Sequence, residues 1–334
     1  MIPIHSDAEL DWQTHLKHAI SSLNSLLDAV HLTAADVDIS EEAARNFSVK
    51  VPQPYIDRIK KGDPNDPLLL QVLPQQAEME VFPGYSHDPL AEMVTNPAPG
   101  LIHKYQGRVL LIVSGACAIN CRYCFRRHFP YQEQQLGGDQ WQQVLNYLRD
   151  DPSITEVIFS GGDPLATSDK RLDRMISDLE AIPHLERLRI HTRLPVVIPQ
   201  RITTELVQRL AQSRLKVVCV LHINHPNEID EAVGHASLKL RDARVTVLNQ
   251  AVLLKNVNDN AAILHQLSLR LFDYAILPYY LFLLDKVEGA AHFDISDQNA
   301  ADLVRQLQAT LPGYLVPRLA REIPGKPSKT WIAL

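Results

Sequence analysis

Cysteine is scarce in this chain, with four residues in 334, too few for a disulfide framework in a chain of this size. Long apolar runs are missing too. The longest, at 109–113 and 274–284, fall far short of the roughly 20 residues that cross a bilayer. The opening MIPIHSDAELDW has no basic stretch followed by an apolar run, so neither a membrane span nor a signal peptide is expected. Positive charge is not in excess: 33 Lys and Arg stand against 39 Asp and Glu, a net of −6, which excludes the electrostatic footprint of a nucleic-acid binder. No internal repeat and no low-complexity tract is present. What remains reads as a cytoplasmic enzyme-sized chain, 46% hydrophobic, enough for one large domain and an appendage.

Three of the four cysteines crowd into CAINCRYCFRRHFPY, residues 117–131. Cys117, Cys121 and Cys124 give the spacing C-x3-C-x2-C. A closed tetrahedral zinc site takes four ligands, and a histidine such as His128 would have to complete it. The other soft-ligand reading is a four-iron cluster on three thiolates, which leaves one iron open to a small molecule with amino and carboxylate groups. Cys219 lies within an apolar strand and reads as a small buried hydrophobe.

Residues 1–100 differ from the rest. Segments 9–28 and 40–61 read as short amphipathic helices, and 63–100 is proline-rich and loop-like. The expected division is a helical N-terminal region with an extended crossing segment over 1–100, and a catalytic domain over 101–334. From about residue 106, apolar runs of strand length appear at 108–113, 155–159, 187–191, 216–221, 244–248 and 273–277. Helix-period segments fill the gaps at 139–150, 169–181, 203–213, 227–241 and 259–271, and 296–311 follows the last strand. Continuous apolar strands alternating with helices mean a parallel sheet covered on both faces. Periodicity alone fits an open doubly wound sheet or a partial barrel. The strand ends favour the barrel. SGGDP, HTRLP, HINHP, NQ and PYYLFLLD follow successive strands, so polar groups gather at every C-terminal end and not at one switch point. The expected fold is α/β, a partial (β/α)6 TIM-like barrel with a helical N-terminal region.

The cysteine spacing resembles the radical S-adenosylmethionine (SAM) motif, with Tyr123 as its aromatic residue. The resemblance implies that Cys117, Cys121 and Cys124 hold a [4Fe-4S] cluster and that SAM chelates its open iron. An external one-electron reductant then supplies the electron that cleaves SAM to a 5′-deoxyadenosyl radical. SGGDP is similar to the family element that contacts the methionine part of SAM, here Gly161, Gly162 and Asp163. By itself Gly-Gly-Asp is also ordinary turn chemistry.

Longer motifs narrow the resemblance. CRYCFRRHF, HTRLPVVIPQRIT, HINHPNEI, LNQAVLLKNVNDN and PYYLFLLDKVEGAAHF together resemble the lysine 2,3-aminomutase family from about residue 95 to the C-terminus. VPQPYIDRI and LAREIPGKPSKT are similar to the shorter bacterial branch that makes (R)-β-lysine for modification of elongation factor P. The chain ends five residues after Lys329, without the C-terminal extension of catabolic forms. The family implies a third cofactor, pyridoxal 5′-phosphate (PLP), attached to Lys329, with Lys326 as the rival, and with Arg108 near the phosphate. It implies Arg126 for the substrate carboxylate and Asp285 and Glu322 for the distant ammonium, an arrangement in which a glutamate-directed enzyme would repel its substrate side chain. Tyr123, Ser160, His222 and Gln250 match SAM-contact positions. His225 reads equally as a structural turn residue. Partners expected from the resemblance are lysine, the reductant, and a functional link to elongation factor P and its lysyl ligase; homo-oligomerisation is left open. Rival readings are a catabolic lysine 2,3-aminomutase, a radical SAM enzyme acting on another amino acid or lacking PLP, and a structural metal-binding module. Arg127 has no role that the sequence supplies.

Overall fold

The structure is a computed structural model and describes residues 11–334. The leader reading and the first residues of the 9–28 segment lie outside the described residues. Nine strands form one sheet in strict chain order: β1 (Leu101–Tyr105), β2 (Arg108–Ser114), β3 (Glu156–Gly161), β4 (Arg187–Thr192), β5 (Lys216–His222), β6 (Thr246–Val252), β7 (Leu277–Phe282), β8 (Arg318–Arg321) and β9 (Thr330–Trp331). Strands β2 to β8 are parallel, and β1 and β9 close the two edges antiparallel. Helices Gly138–Asp150, Asp169–Glu180, Thr204–Ala211, Glu231–Asp242, Ala261–Asp273 and Asp297–Thr310 connect the parallel strands. Helix-capping residues set several of their starts: Ser168, Thr203, Asp230, Asn260 and Ser296 each accept a backbone N–H of the first turn.

The sheet does not close, because β1 and β9 do not pair. It nevertheless curls, since residues from every strand between β2 and β7 reach one cavity. The inward set alternates along the strands as the pleat requires: Arg108 and Leu110, Ile158 and Ser160, Arg189 and His191, Gln250 and Val252, Tyr280 and Phe282. The alternate residues, such as Leu111, Val157, Phe159, Leu188 and Ile190, are buried beneath the helices. This is a partial barrel, as expected, with departures beyond the antiparallel edge strands β1 and β9, which the sequence reading did not include. A seventh parallel strand, β8, extends the six. The sixth strand runs over Leu277–Phe282 and not over 273–277, because the preceding helix continues to Asp273 and leaves through Ala275 at φ 58°.

The N-terminal region holds short helices, Trp12–Lys17, Leu23–Ala29, Glu41–Asn46, Gln53–Ile56 and Pro67–Leu70. Their apolar residues, including Leu26, Val30, Tyr55, Ile56, Leu68 and Leu69, share one continuous core with β2, β3 and β4. Arg58 ties this region to the barrel through the carbonyls of Val196, at 2.6 Å, and Glu228.

Candidate active site

The cysteine loop follows β2 and lies between the barrel mouth and the N-terminal region. Lys50 Nζ donates to Cys117 O at 2.7 Å, Asn120 N to Lys50 O at 3.0 Å, and Arg122 N to Gln71 O at 2.9 Å. Two arginines of the loop anchor it. Glu78 is fully buried and accepts both Arg122 Nε at 2.8 Å and Arg122 Nη2 at 2.6 Å, and its Oε2 also takes Arg127 Nη2 at 2.8 Å. Arg122 reaches the carbonyls of Phe47 and Ala43, and Arg127 that of Gly289. Arg127, without a role in the sequence, is thus part of a buried Arg–Glu–Arg clamp.

All three thiols are free and open on a cavity of about 710 Å³. Burial pushes the Cys124 thiol up to about 11, with the neighbouring Cys121 adding to it, and pushes Cys117 well above the usual thiol range. His128, the residue a zinc site would need, packs elsewhere. Its ring stacks on His87 at 4.1 Å and faces the carbonyl of Glu288 at 3.3 Å. Cys219 is buried in β5, and burial raises its thiol to about 12.

Every residue placed at the site from the sequence lines this cavity. Their contacts differ from what residue type alone suggests. Gly161 (φ 126°) and Gly162 face the chain's own backbone: a Cβ on Gly161 would sit 2.3 Å from Ser114 O, and one on Gly162 would sit 2.7 Å from Ala116 O. The glycines let β3 close against the start of the cysteine loop, where Gly162 N donates to Ser114 O at 2.8 Å. Asp163 accepts four bonds with its carboxylate, from Leu165 N, Thr192 Oγ1, Arg193 N and Leu194 N at 2.7–3.0 Å. Its side chain fastens the turns after β3 and β4. Tyr123 OH accepts from Asn224 Nδ2 at 2.7 Å, and His222 Nε2 lies 2.9 Å from Gln250 Nε2. Burial, with the charges of Arg193 and Arg126, brings His222 down to about 3, so its imidazole is neutral. His225 accepts Asn227 N in a turn, as the structural reading has it.

A chain of alternating charges crosses the opposite wall. Arg126 grips Glu92 with Nε at 2.7 Å and Nη2 at 2.9 Å, while its Nη1 donates to Ser160 Oγ and Gly161 O. Four of its five N–H groups are thereby engaged within the chain. Lys104 Nζ lies 3.6 Å from Glu92 and 3.0 Å from Glu322. Glu322 also accepts Lys329 Nζ at 2.6 Å. Burial alone would raise Glu322, but Lys329 and Lys104 outweigh it and hold the carboxyl down at about 2. Lys329 sits over the rings of Phe282 (5.1 Å) and Tyr105 (5.7 Å). Arg108 stacks on Tyr105 at 4.9 Å, and its side chain makes no hydrogen bond among the described residues. Asp285 is the unpaired member: its carboxylate has no hydrogen bond or ion pair among the described residues, and burial, then the charge of Glu322, raises it to about 7.

Sequence reasoning missed Glu92, Lys104, Tyr105, His191 and Arg193, all of which line the cavity. The buried Nε2 of His191 has no hydrogen-bond partner among the described residues. Arg193 donates to Cys121 Sγ at 3.2 Å. Only His191 and Arg193 carried a signal, their place in HTRLP directly after a strand.

These residues suit the groups that the cysteine motif and lysine resemblance call for. Three free thiols share one cavity with a guanidinium at one sulfur. A lysine amine lies over aromatic faces, one of them shared with an arginine that no acceptor among the described residues holds.

Residues 111–263 match the family model described as Radical SAM superfamily, and fold, cysteine loop and match define the class as a radical SAM α/β protein. Three curated relatives are named L-lysine 2,3-aminomutase. The one from Haemophilus influenzae is 55% identical over 97% of this chain and 96% of its own length. That from Escherichia coli is 50% identical over 99% and 96%, and that from Clostridium subterminale 35% over 97% and 78%. The chain belongs to the L-lysine 2,3-aminomutase family, whose members are radical SAM isomerases; the family implies a [4Fe-4S] cluster, SAM and PLP as cofactors.

Proposed function

We propose that this chain converts L-lysine to β-lysine by moving the α-amino group to C3. The observation that carries the reading is Asp285, an unpaired carboxylate facing the same cavity as Lys329 and the three cysteines. A buried carboxylate without a partner is costly, and the side-chain ammonium of lysine supplies the missing cation. When bound, the cluster and SAM supply a hydrogen-abstracting radical, and PLP supplies the π-system that carries the migrating nitrogen.

The chain's residues do the rest. Cys117, Cys121 and Cys124 are the thiolate ligands. Lys329 provides the amine for PLP, and Arg108, whose side chain has no acceptor among the described residues, meets its phosphate. Tyr105 and Phe282 flank the Lys329 amine with aromatic faces. Tyr123, Ser160, Gly161, Gly162, His222 and Gln250 shape the SAM side; Asp163 acts there through the turns it fastens. Arg126 takes the substrate carboxylate with its remaining Nη2 proton, and with more of its fork if Glu92 swings to Lys104. Glu322 keeps Lys329 and Lys104 in place and stands beside Asp285 at the ammonium end. The curled sheet and the N-terminal region exclude water, so an alkyl radical finds no foreign hydrogen donor.

The product is assigned as the (R) isomer, supplied for modification of elongation factor P. The support is the higher identity to relatives of similar length than to the longer C. subterminale protein. Offering lysine, arginine and glutamate in parallel to the reconstituted protein under anaerobic conditions tests the substrate. β-Lysine alone is expected, and a product from glutamate would refute the role of Asp285. Loss of β-lysylated elongation factor P on deletion of the gene tests the use of the product.

A further inference from the structure

Arg193 is buried, is not accounted for by substrate or SAM binding, and touches a cysteine. Its Nη1 lies 3.2 Å from Cys121 Sγ. The residue is held from every side. Its backbone N–H is fixed by Asp163 at 2.8 Å, and its Nη2 donates to Gln71 Oε1 and Glu228 Oε2, both at 2.9 Å. The guanidinium also lies 5.5 Å from the Tyr123 ring centre and 5.8 Å from that of Tyr55. Glu228, fully buried, is in turn pinned by Asn224 N and His225 N. The three cysteines are unequal in one respect: among the described residues only Cys121 has a side-chain donor within hydrogen-bond distance of its sulfur, while Lys50 at Cys117 and the Arg126 and Arg127 side chains at Cys124 act through their charge.

We propose that Arg193 is a positioning residue for the iron–sulfur cluster, donating to the Cys121 sulfur and holding the reduction potential of the cluster up. On reduction the oxidised cluster takes one electron from the external reductant and becomes one charge more negative, with no proton transferred. A hydrogen bond and a positive charge at a ligating sulfur stabilise that state. The cluster becomes easier to reduce, at the cost of some driving force for the electron's onward transfer. Rigidity matters here, because a mobile cation would spread the potentials of a population. Glu228 tethers the guanidinium on the far side from the sulfur.

The test is an anaerobic redox titration of the reconstituted protein with dithionite, followed by electron paramagnetic resonance, together with iron content per chain. Arg193→Gln should keep its iron and shift so that, at the wild-type midpoint, the ratio of reduced to oxidised cluster falls about tenfold, or 59 mV for one electron. Arg193→Lys should shift less in the same direction. Tyr55→Phe, which disturbs the packing around Arg193 without changing charge, should leave the midpoint in place. An unchanged midpoint in iron-replete Arg193→Gln overturns the proposal. So does a shift in Tyr55→Phe equal to that in Arg193→Gln. Loss of iron from both Arg193 variants overturns it too, since the residue would then build the site and not tune it. Cys121→Ala separates the ligand assignment: if that variant keeps a full cluster, the assignment of Cys121 fails, and Arg193 with it.

Discussion

Replacing Asp285 by Asn should stabilise the ligand-free protein and abolish its use of lysine. Burial, then the charge of Glu322, lifts Asp285 from 3.8 to about 7, against the partial relief from Lys329. A carboxyl whose folded value is raised binds its proton more tightly in the folded state. Its unfavourable contribution is absent below the unfolded value, grows as pH rises, and is complete above about 7. The gap of about three pH units, at 1.36 kcal/mol each, corresponds to about 4 kcal/mol. Asn removes the charge with little change of shape, so the variant should gain up to about 4 kcal/mol at pH 8. At pH 5.5 the wild type has recovered about 2 kcal/mol and the gain falls to about half. Denaturant unfolding of the metal-free chain at both pH values reads this. Lysine binding should show the counterpart: the carboxyl must lose its proton to meet the ammonium, so affinity should fall toward tenfold per pH unit below 7, and Asn should remove that dependence along with most of the affinity. A variant less stable than wild type at pH 8, or a gain independent of pH, would refute the reasoning.

Other expectations follow from the same contacts. Lys329→Ala should lose the absorbance band that PLP forms with the protein while retaining iron; an unchanged band would move the attachment to Lys326 or elsewhere. Arg126→Leu should weaken lysine binding roughly 10- to 100-fold, the range of one charge-assisted hydrogen bond; wild-type lysine affinity would count against its carboxylate role. Glu78→Gln leaves two buried guanidiniums facing a neutral amide and should cost about 3 to 5 kcal/mol in unfolding experiments; a loss under about 1 kcal/mol would show that the clamp on the cysteine loop is not strained by losing its charge.

Much of this molecule was legible in its sequence, for local reasons. Five of the six expected strands lie where apolar runs place them, because each is buried on its helix-facing side and bounded by turn residues. The sixth slipped to Leu277–Phe282 because PYYLF carries a proline and polar rings that read as loop, although its alternate residues Tyr280 and Phe282 face the cavity. RLAR is four residues with two arginines, and only its pairing with β7 and β9 makes it a strand. In the N-terminal region each expected helical segment is split in two: Ser22 caps a new start within 9–28, and Pro52 precedes a second helix within 40–61. At the site, spacing disclosed the cysteines, and motif resemblance brought Lys329, Asp285 and Glu322 to one cavity across two hundred residues. Glu92 stayed hidden, since a lone acid in a proline-rich segment has no pattern. Its meaning comes from Arg126, 34 residues on. Lys104 was illegible for the same reason, its partner Glu322 lying far away in sequence; Arg193 had its place in HTRLP, but nothing local pointed to its partner Cys121.

The most direct test of the central claim follows the nitrogen. Lysine labelled with nitrogen-15 at the α-amino group is incubated anaerobically with the reconstituted protein, SAM, PLP and dithionite, and the product is read by mass spectrometry and NMR. The account predicts β-lysine with the label fully retained on C3. Cleavage of SAM with the label still on C2, in a protein shown to hold both iron and PLP, would contradict it.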